Sequence, residues 1–169
     1  SPTIDVRFML AADDLRAGRI AAAKTHFDMV GEGPDLSSFK DGLEAFALLD
    51  KDPKAARIAL DKIAPSGPIG DSIDELRALF LIATKDESAE GAALRAVQQA
   101  GPNADQIRLT LASQYMLVGD KAKALDLLAG ETDMMVKARA MVNAGKAPGT
   151  VVRQANQAYA EMLVNLALT

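Results

Sequence analysis

The strongest constraint on this fold is a turn that comes back at an almost fixed interval. In the run YMLVGDKAKALDLLA, residues 115–129, the pair Gly119-Asp120 cuts an Ala-rich apolar stretch into two short pieces. Counting back from Asp120, the residues Asp86, Asp52 and Arg19 hold the same place between apolar pieces, at intervals of 34, 34 and 33 residues. Within the pieces apolar residues recur three and four apart, and alternation over four or more residues is hard to find. The spacing therefore predicts helices joined by corners, not strands. Two short helices per interval bury little on their own, so such units become stable by stacking on neighbours.

Punctuation places the helices. Ile4, Phe8, Leu10, Ala11 and Leu15 mark one face of a first helix, broken by Ala17-Gly18-Arg19. Ile20, Ala23, Phe27 and Val30 mark a second, closed by Gly31, Gly33 and Pro34. A helix over residues 36–49 stops at Asp50-Lys51-Asp52. Pro53 opens the next, at a position where its missing N–H would be unpaired anyway. That helix carries Ile58, Leu60 and Ile63 and ends before Pro65-Ser66-Gly67-Pro68. Further pairs are expected over residues 72–84 with 88–100, and 104–118 with 121–129. Beyond Gly130 the period fails. Residues 134–144 read as a short helix, 145–149 as a turn, and 150–168 as a longer helix. Val152, Ala155, Tyr159, Met162, Leu163 and Leu166 share one face of that last helix.

Composition narrows the function classes. Hydrophobic residues make up 49% and aromatics only 4%, with no Trp, so the core is built mostly from Ala, Leu, Ile, Val and Met. Small members of that set let helix backbones approach closely. A net charge of −4, from 19 basic and 23 acidic residues, carries no basic footprint for nucleic acid. The absence of Cys removes disulfides, thiolate nucleophiles and Cys-ligated zinc. It fits a reducing compartment such as the cytoplasm without excluding a bacterial periplasm. No apolar run approaches the roughly 20 residues that span a bilayer, and no signal peptide is visible. The opening Ser1-Pro2 suits a processed or trimmed form.

The matched positions agree in chemistry. Eight residues before the corners stand Ala11, Glu44, Ala78 and Ala112; four after stand Ala23, Ala56, Glu90 and Ala124. Small side chains there would let the two helices of a unit touch. Eight after the corners, Phe27, Leu60, Leu94 and Leu128 would fill the space between units; nine before stand Leu10, Leu43, Arg77 and Leu111. Leu111, Ala112, Tyr115, Gly119, Asp120, Ala124 and Leu128 fall where the tetratricopeptide repeat has its pattern, and residues 107–128 resemble that family. The register extends the resemblance over roughly residues 3–131, with Glu44, Arg77 and Glu90 as departures.

That resemblance implies an all-α protein, a right-handed α-α solenoid. Four helix pairs would cover residues 1–131, and a C-terminal capping or continuation helix pair 132–169, in a single structural domain. It also implies a concave groove lined by the first helix of each unit, eleven, seven and four residues before each corner. The first set is Phe8, Asp41, Glu75 and Leu109; the second Ala12, Ala45, Leu79 and Ser113; the third Leu15, Leu48, Ile82 and Met116. This face is apolar with two acids. The Lys, Arg and Asn that grip a C-terminal carboxylate in some family members are missing, apart from Arg16 at the groove's edge. Such a groove would suit an amphipathic helix carrying Lys or Arg. The chain's own last helix fits it equally well.

Chemistry-bearing residues are sparse. His26, the one histidine, has Asp28 and Glu32 nearby but lacks the three or four ligands zinc needs; it reads as a helix-surface residue. The stretches Gly31 to Pro34 and Gly67 to Gly70 lack the Lys and the strand context of a phosphate cradle and read as turns. Ser66 and Ser72 have no G-x-S-x-G setting. The acid pairs Asp13-Asp14 and Asp74-Glu75 read as solvated faces. Among the methionines, Met9 and Met29 read as core, while Met116 and Met135 are candidates for an adaptable binding surface. The expected function is non-catalytic, without cofactor or metal: a scaffold or adaptor holding a protein, peptide or helix. The alternative is a structural piece of a larger bacterial repeat protein, its groove filled by its own C-terminal helix or a second subunit. A homodimer through that helix is a further expectation.

Overall fold

The structure is a computed structural model that describes residues 3–30, 34–49, 51–63, 70–149, 157, 159–160 and 163–164. Among these residues it is entirely helical, with no strand. The helices are α1 (Ile4–Arg16), α2 (Ile20–Asp28), α3 (Pro34–Leu48), α4 (Pro53–Lys62), α5 (Gly70–Ala83), α6 (Ala89–Gln99), α7 (Ala104–Leu117), α8 (Lys121–Leu127) and α9 (Asp133–Asn143). A 3-10 turn, Gly101–Asn103, leads into α7. The helices expected up to residue 144 are present, with ends moved by one or two residues. The turn at Pro65-Ser66-Gly67-Pro68, residue Asp50, the Gly31 to Gly33 stretch and most of the last helix lie outside the described residues.

The chain divides into two compact units. One comprises Ser1–Ile73 with Gln154–Thr169, the other Asp74–Arg153, so the division falls in the first turn of α5. In the first unit α1 packs on α2, α2 on α3 and α3 on α4. In the second, α6 packs on α7, α7 on α8, and α9 on both α7 and α8.

The corners repeat in hydrogen-bond detail. Gly18 N–H donates to Leu15 O and Arg19 N–H to Asp14 O; Gly119 N–H donates to Met116 O and Asp120 N–H to Tyr115 O. Lys85 and Asp86 make the same pair of bonds to Ile82 and Leu81. This is the Schellman closure, in which a residue at positive φ turns the chain out of the helix. Gly18 (φ 73°) and Gly119 (φ 84°) do so without strain, whereas Lys85 (φ 53°) is the one non-glycine with positive φ among the described residues. The α3–α4 corner differs: Asp52 N–H donates to Leu48 O, four residues back, and the Asp52 carboxylate then caps α4 by accepting from Ala55 N–H at 3.1 Å. Asp120 caps α8 in the same way through Lys123 N–H.

Burial corrects the register at two places. In α1 the buried residues Phe8, Ala11, Ala12 and Leu15 recur in the α3 segment as Gly42, Ala45, Phe46 and Leu49, displaced by 34 residues and not 33. Glu44 is exposed, so Ala45 takes the small position. In α6 the buried face is Ala89, Ala92, Ala93 and Ala96, while Glu90 and Leu94 point to solvent, Leu94 at 51% exposure. The cause is local: Ala89 N–H donates to Asp86 O, three residues back, so the chain enters α6 through a tighter turn that advances the helix face by one residue. With both slips allowed for, the small positions read Ala11, Ala45, Ala78, Ala112 and Ala23, Ala56, Ala89, Ala124, every one buried. Leu10, Met9 and Met29 are exposed, contrary to the core expected for them, and Met135 is buried.

A fifth corner follows α9. Gly145 (φ 76°) N–H donates to Val142 O and Lys146 N–H to Met141 O, repeating the Schellman pair. Buried Ala138 stands eight residues before Lys146, as Ala112 does before Asp120. Only 26 residues separate Asp120 from Lys146, eight fewer than from Asp86 to Asp120: α8 is four residues shorter than α6, α9 is three shorter than α7, and the connecting turns are one shorter in all. The shortened helix pair takes this corner out of step with the longer interval.

Candidate functional site

The positions expected to line a groove are largely covered. In the first unit Phe8, Ala12, Leu15 and Ala45 are buried, and Asp41 and Leu48 are partly exposed. The α3 slip moves the face to Gly42, Phe46 and Leu49, all buried. Tyr159 from the chain's C-terminal segment sits on that face. Its ring stacks on Phe46 at 5.6 Å between centroids and 14° between planes, and tilts against Phe27 at 6.4 Å. Phe27 in turn meets Phe8 at 6.1 Å. Offset and tilted pairs at these distances add to the burial of the rings. Gly42 is needed where it stands: a Cβ there would lie 2.7 Å from Tyr159 Cε2. Burial, and then the charge of Asp41, hold the Tyr159 phenol well above its ordinary pKa. Ala160 and Leu163 are fully buried beside it.

In the second unit Leu79, Ile82 and Ser113 are buried, while Glu75, Leu109 and Met116 are partly exposed. Here the turn after α9 covers α7. Ser113 Oγ donates to Leu109 O and accepts from Gly149 N–H, both at 2.8 Å. A Cβ on Gly149 would lie 2.9 Å from the Leu109 carbonyl carbon and oxygen, so the two backbones are in direct contact. Burial raises the pKa of the Glu75 carboxyl. The loop between α8 and α9 is held by Arg139, which donates to the carbonyls of Leu128 and Gly130, both at 2.6 Å. Arg108 donates to the Ala129 carbonyl at 3.1 Å.

His26 has a partner other than those expected. Its Nε2 lies 3.2 Å from Asp14 Oδ2, and the same carboxylate accepts from Arg19 Nε at 2.7 Å. Arg19 also reaches Asp13 at 3.1 Å. Asp14 thus ties the α1–α2 corner to the last turn of α2, which is a structural role. Among the described residues, no three or more His, Cys, Asp or Glu side chains stand where they could hold a metal ion. Among the same residues, no helix is long and apolar enough to cross a membrane. Gly42, Phe46, Leu49 and Tyr159 are the site residues that a fixed interval misses. The aromatic at 159 and the Gly-Leu-x-Ala-Phe run at 42–46 were its visible signals. Comparison with protein-family models, curated proteins and solved structures returned no match.

Proposed function

We propose that the chain is a non-catalytic interaction scaffold of tetratricopeptide type, a right-handed solenoid of helical hairpins whose apolar face receives a helix. Its first occupant is its own C-terminal segment. The observation that carries this reading is the seat of Tyr159 on Gly42 and Phe46, the register-corrected face positions of α3. The recurring corners and the alanines at the small positions support the hairpin repeat. Burial of Phe8, Ala12, Leu15 and Ala45 in the first unit favours self-occupation over an open groove awaiting a partner. A homodimer through the C-terminal helix is disfavoured for the face bearing Tyr159, Ala160 and Leu163, which is already buried.

Tyr159→Ala tests the reading. Loss of a large buried aromatic costs about 3–5 kcal/mol, so amides of α1 to α4 should lose hydrogen-exchange protection. A synthetic peptide of residues 150–168 added in trans should restore it in the variant. Unchanged protection in the variant, or a destabilised variant that the peptide does not rescue, contradicts a helix-receiving face.

A further inference from the structure

A second feature borders the apolar face at Ile82. In the second unit, residues 82–89 and 115–123 border a recess of about 320 Å³. A smaller one of about 50 Å³ adjoins α6 and α8, and Tyr115 and Lys123 line both. Tyr115 is 3% exposed, and among the described residues its hydroxyl has no hydrogen-bond partner. A buried hydroxyl left unpaired is unfavourable and marks a place where a ligand atom would be satisfied.

The charges around it have one dominant sign. Asp86, Glu87 and Asp120 line the larger recess, and Glu90 and Asp126 the smaller, against Lys85 and Lys123. Burial first, then the charges of Glu90 and Asp120, push the Tyr115 phenol up to about 12, so its hydroxyl is neutral at pH 7. The chain's own Lys123 already shows where a cation rests: its Nζ lies 5.9 Å from the centroid of the Tyr115 ring and 3.8 Å from Asp120 Oδ2. Attraction of an ammonium or guanidinium to an aromatic face acts at such distances.

We propose that this recess binds an organic cation, a guanidinium or alkylammonium group, with the Tyr115 hydroxyl as acceptor and the surrounding carboxylates as counter-charge. The cation arrives either as a basic side chain of a bound segment or as a small free amine. A single flexible side chain fits a space of this size, near the lower end for ligand pockets. Lys123 is the internal competitor that such a guest displaces. Of the apolar-face positions, the recess is lined by Ile82 alone, and no polar group of the proposed site belongs to that face.

The test uses the full chain and three probes: agmatine, an N-acetylated Gly-Arg-Gly amide, and the same peptide with citrulline in place of Arg. Amide shifts of Asp86 and Gly119 read the site by NMR. Tyrosine emission reads it independently, because the chain has no Trp and only two Tyr. Saturable shifts with a guanidinium probe and none with citrulline support the assignment. Saturation by agmatine as tight as by the peptide points to a free amine, and tighter binding of the peptide to a partner side chain. Glu90→Gln should weaken binding roughly five-fold, as loss of an exposed ion pair does, and Lys123→Met should strengthen it. No saturable shift with either guanidinium probe, or equal response to the citrulline peptide, overturns the proposal. Since neither substitution touches the core, a folded variant with unchanged affinity counts against it as well.

Discussion

Two residues carry local costs that can be measured. Glu75 is partly exposed, and burial raises its carboxyl pKa above the ordinary 4.5. The folded state then holds its proton more tightly than the unfolded chain. Stability is therefore unimpaired below pH 4.5 and falls as pH rises through the window up to the raised value. Glu75→Gln is expected to raise the melting temperature at pH 7, with the advantage vanishing at pH 4 and below. Equal melting curves at pH 7 would remove burial as the cause. Lys85 sits at φ 53°, where Gly18, Gly119 and Gly145 hold the matching places in other corners. The left-handed region costs an L side chain about 1 kcal/mol, so Lys85→Gly should raise the unfolding free energy by that order, seen as a higher urea midpoint at unchanged slope.

At the scale of elements, alanine decides which face of each helix is inside. The α6 face built from Ala89, Ala92, Ala93 and Ala96 leaves no room for larger side chains, since all four are buried to 2% exposure or less. Ala89→Leu should destabilise by about 1–3 kcal/mol through overpacking, while Glu90→Leu should be within about 0.5 kcal/mol of the parent, as for other surface substitutions. A fixed 34-residue spacing makes the opposite assignment, so denaturant unfolding of the two variants separates the two registers. The corners explain why slips are tolerated. A Schellman closure, a proline-led start and a tight 3-10 entry each end one helix and begin the next, yet they differ by a residue in how far they rotate the chain.

For the whole molecule the decisive feature is the return of the chain. Tyr159, Ala160 and Leu163 belong to the compact unit whose other members precede residue 74, so its core joins residues more than a hundred positions apart. Closing so long a loop slows folding even where it adds stability. Part of the path is held at Gly149, whose N–H donates to Ser113 Oγ and whose Cα side abuts the Leu109 backbone. Gly149→Ala would set a Cβ 2.9 Å from that backbone, which has no rotamer to yield. A loss of about 1–3 kcal/mol is expected in thermal or urea unfolding. A neutral result would mean the turn docks more loosely than the Ser113 bond indicates.

Helix content, most corner positions and the alanine-lined hairpins follow from residue order alone. Periodicity, capping and glycine at positive φ are local effects that act within a few residues. The one-residue slips at α3 and α6 depended on hydrogen bonding within particular turns, and the shortened interval to Lys146 on the lengths of α8 and α9, so a fixed spacing from Asp120 misplaced Glu44, Glu90 and Leu94. Which side chains cover the apolar face was decided only by tertiary structure. Tyr159 and Gly42 are 117 positions apart, and no short-range pattern relates a glycine in one helix to an aromatic ring that arrives from the far end of the chain.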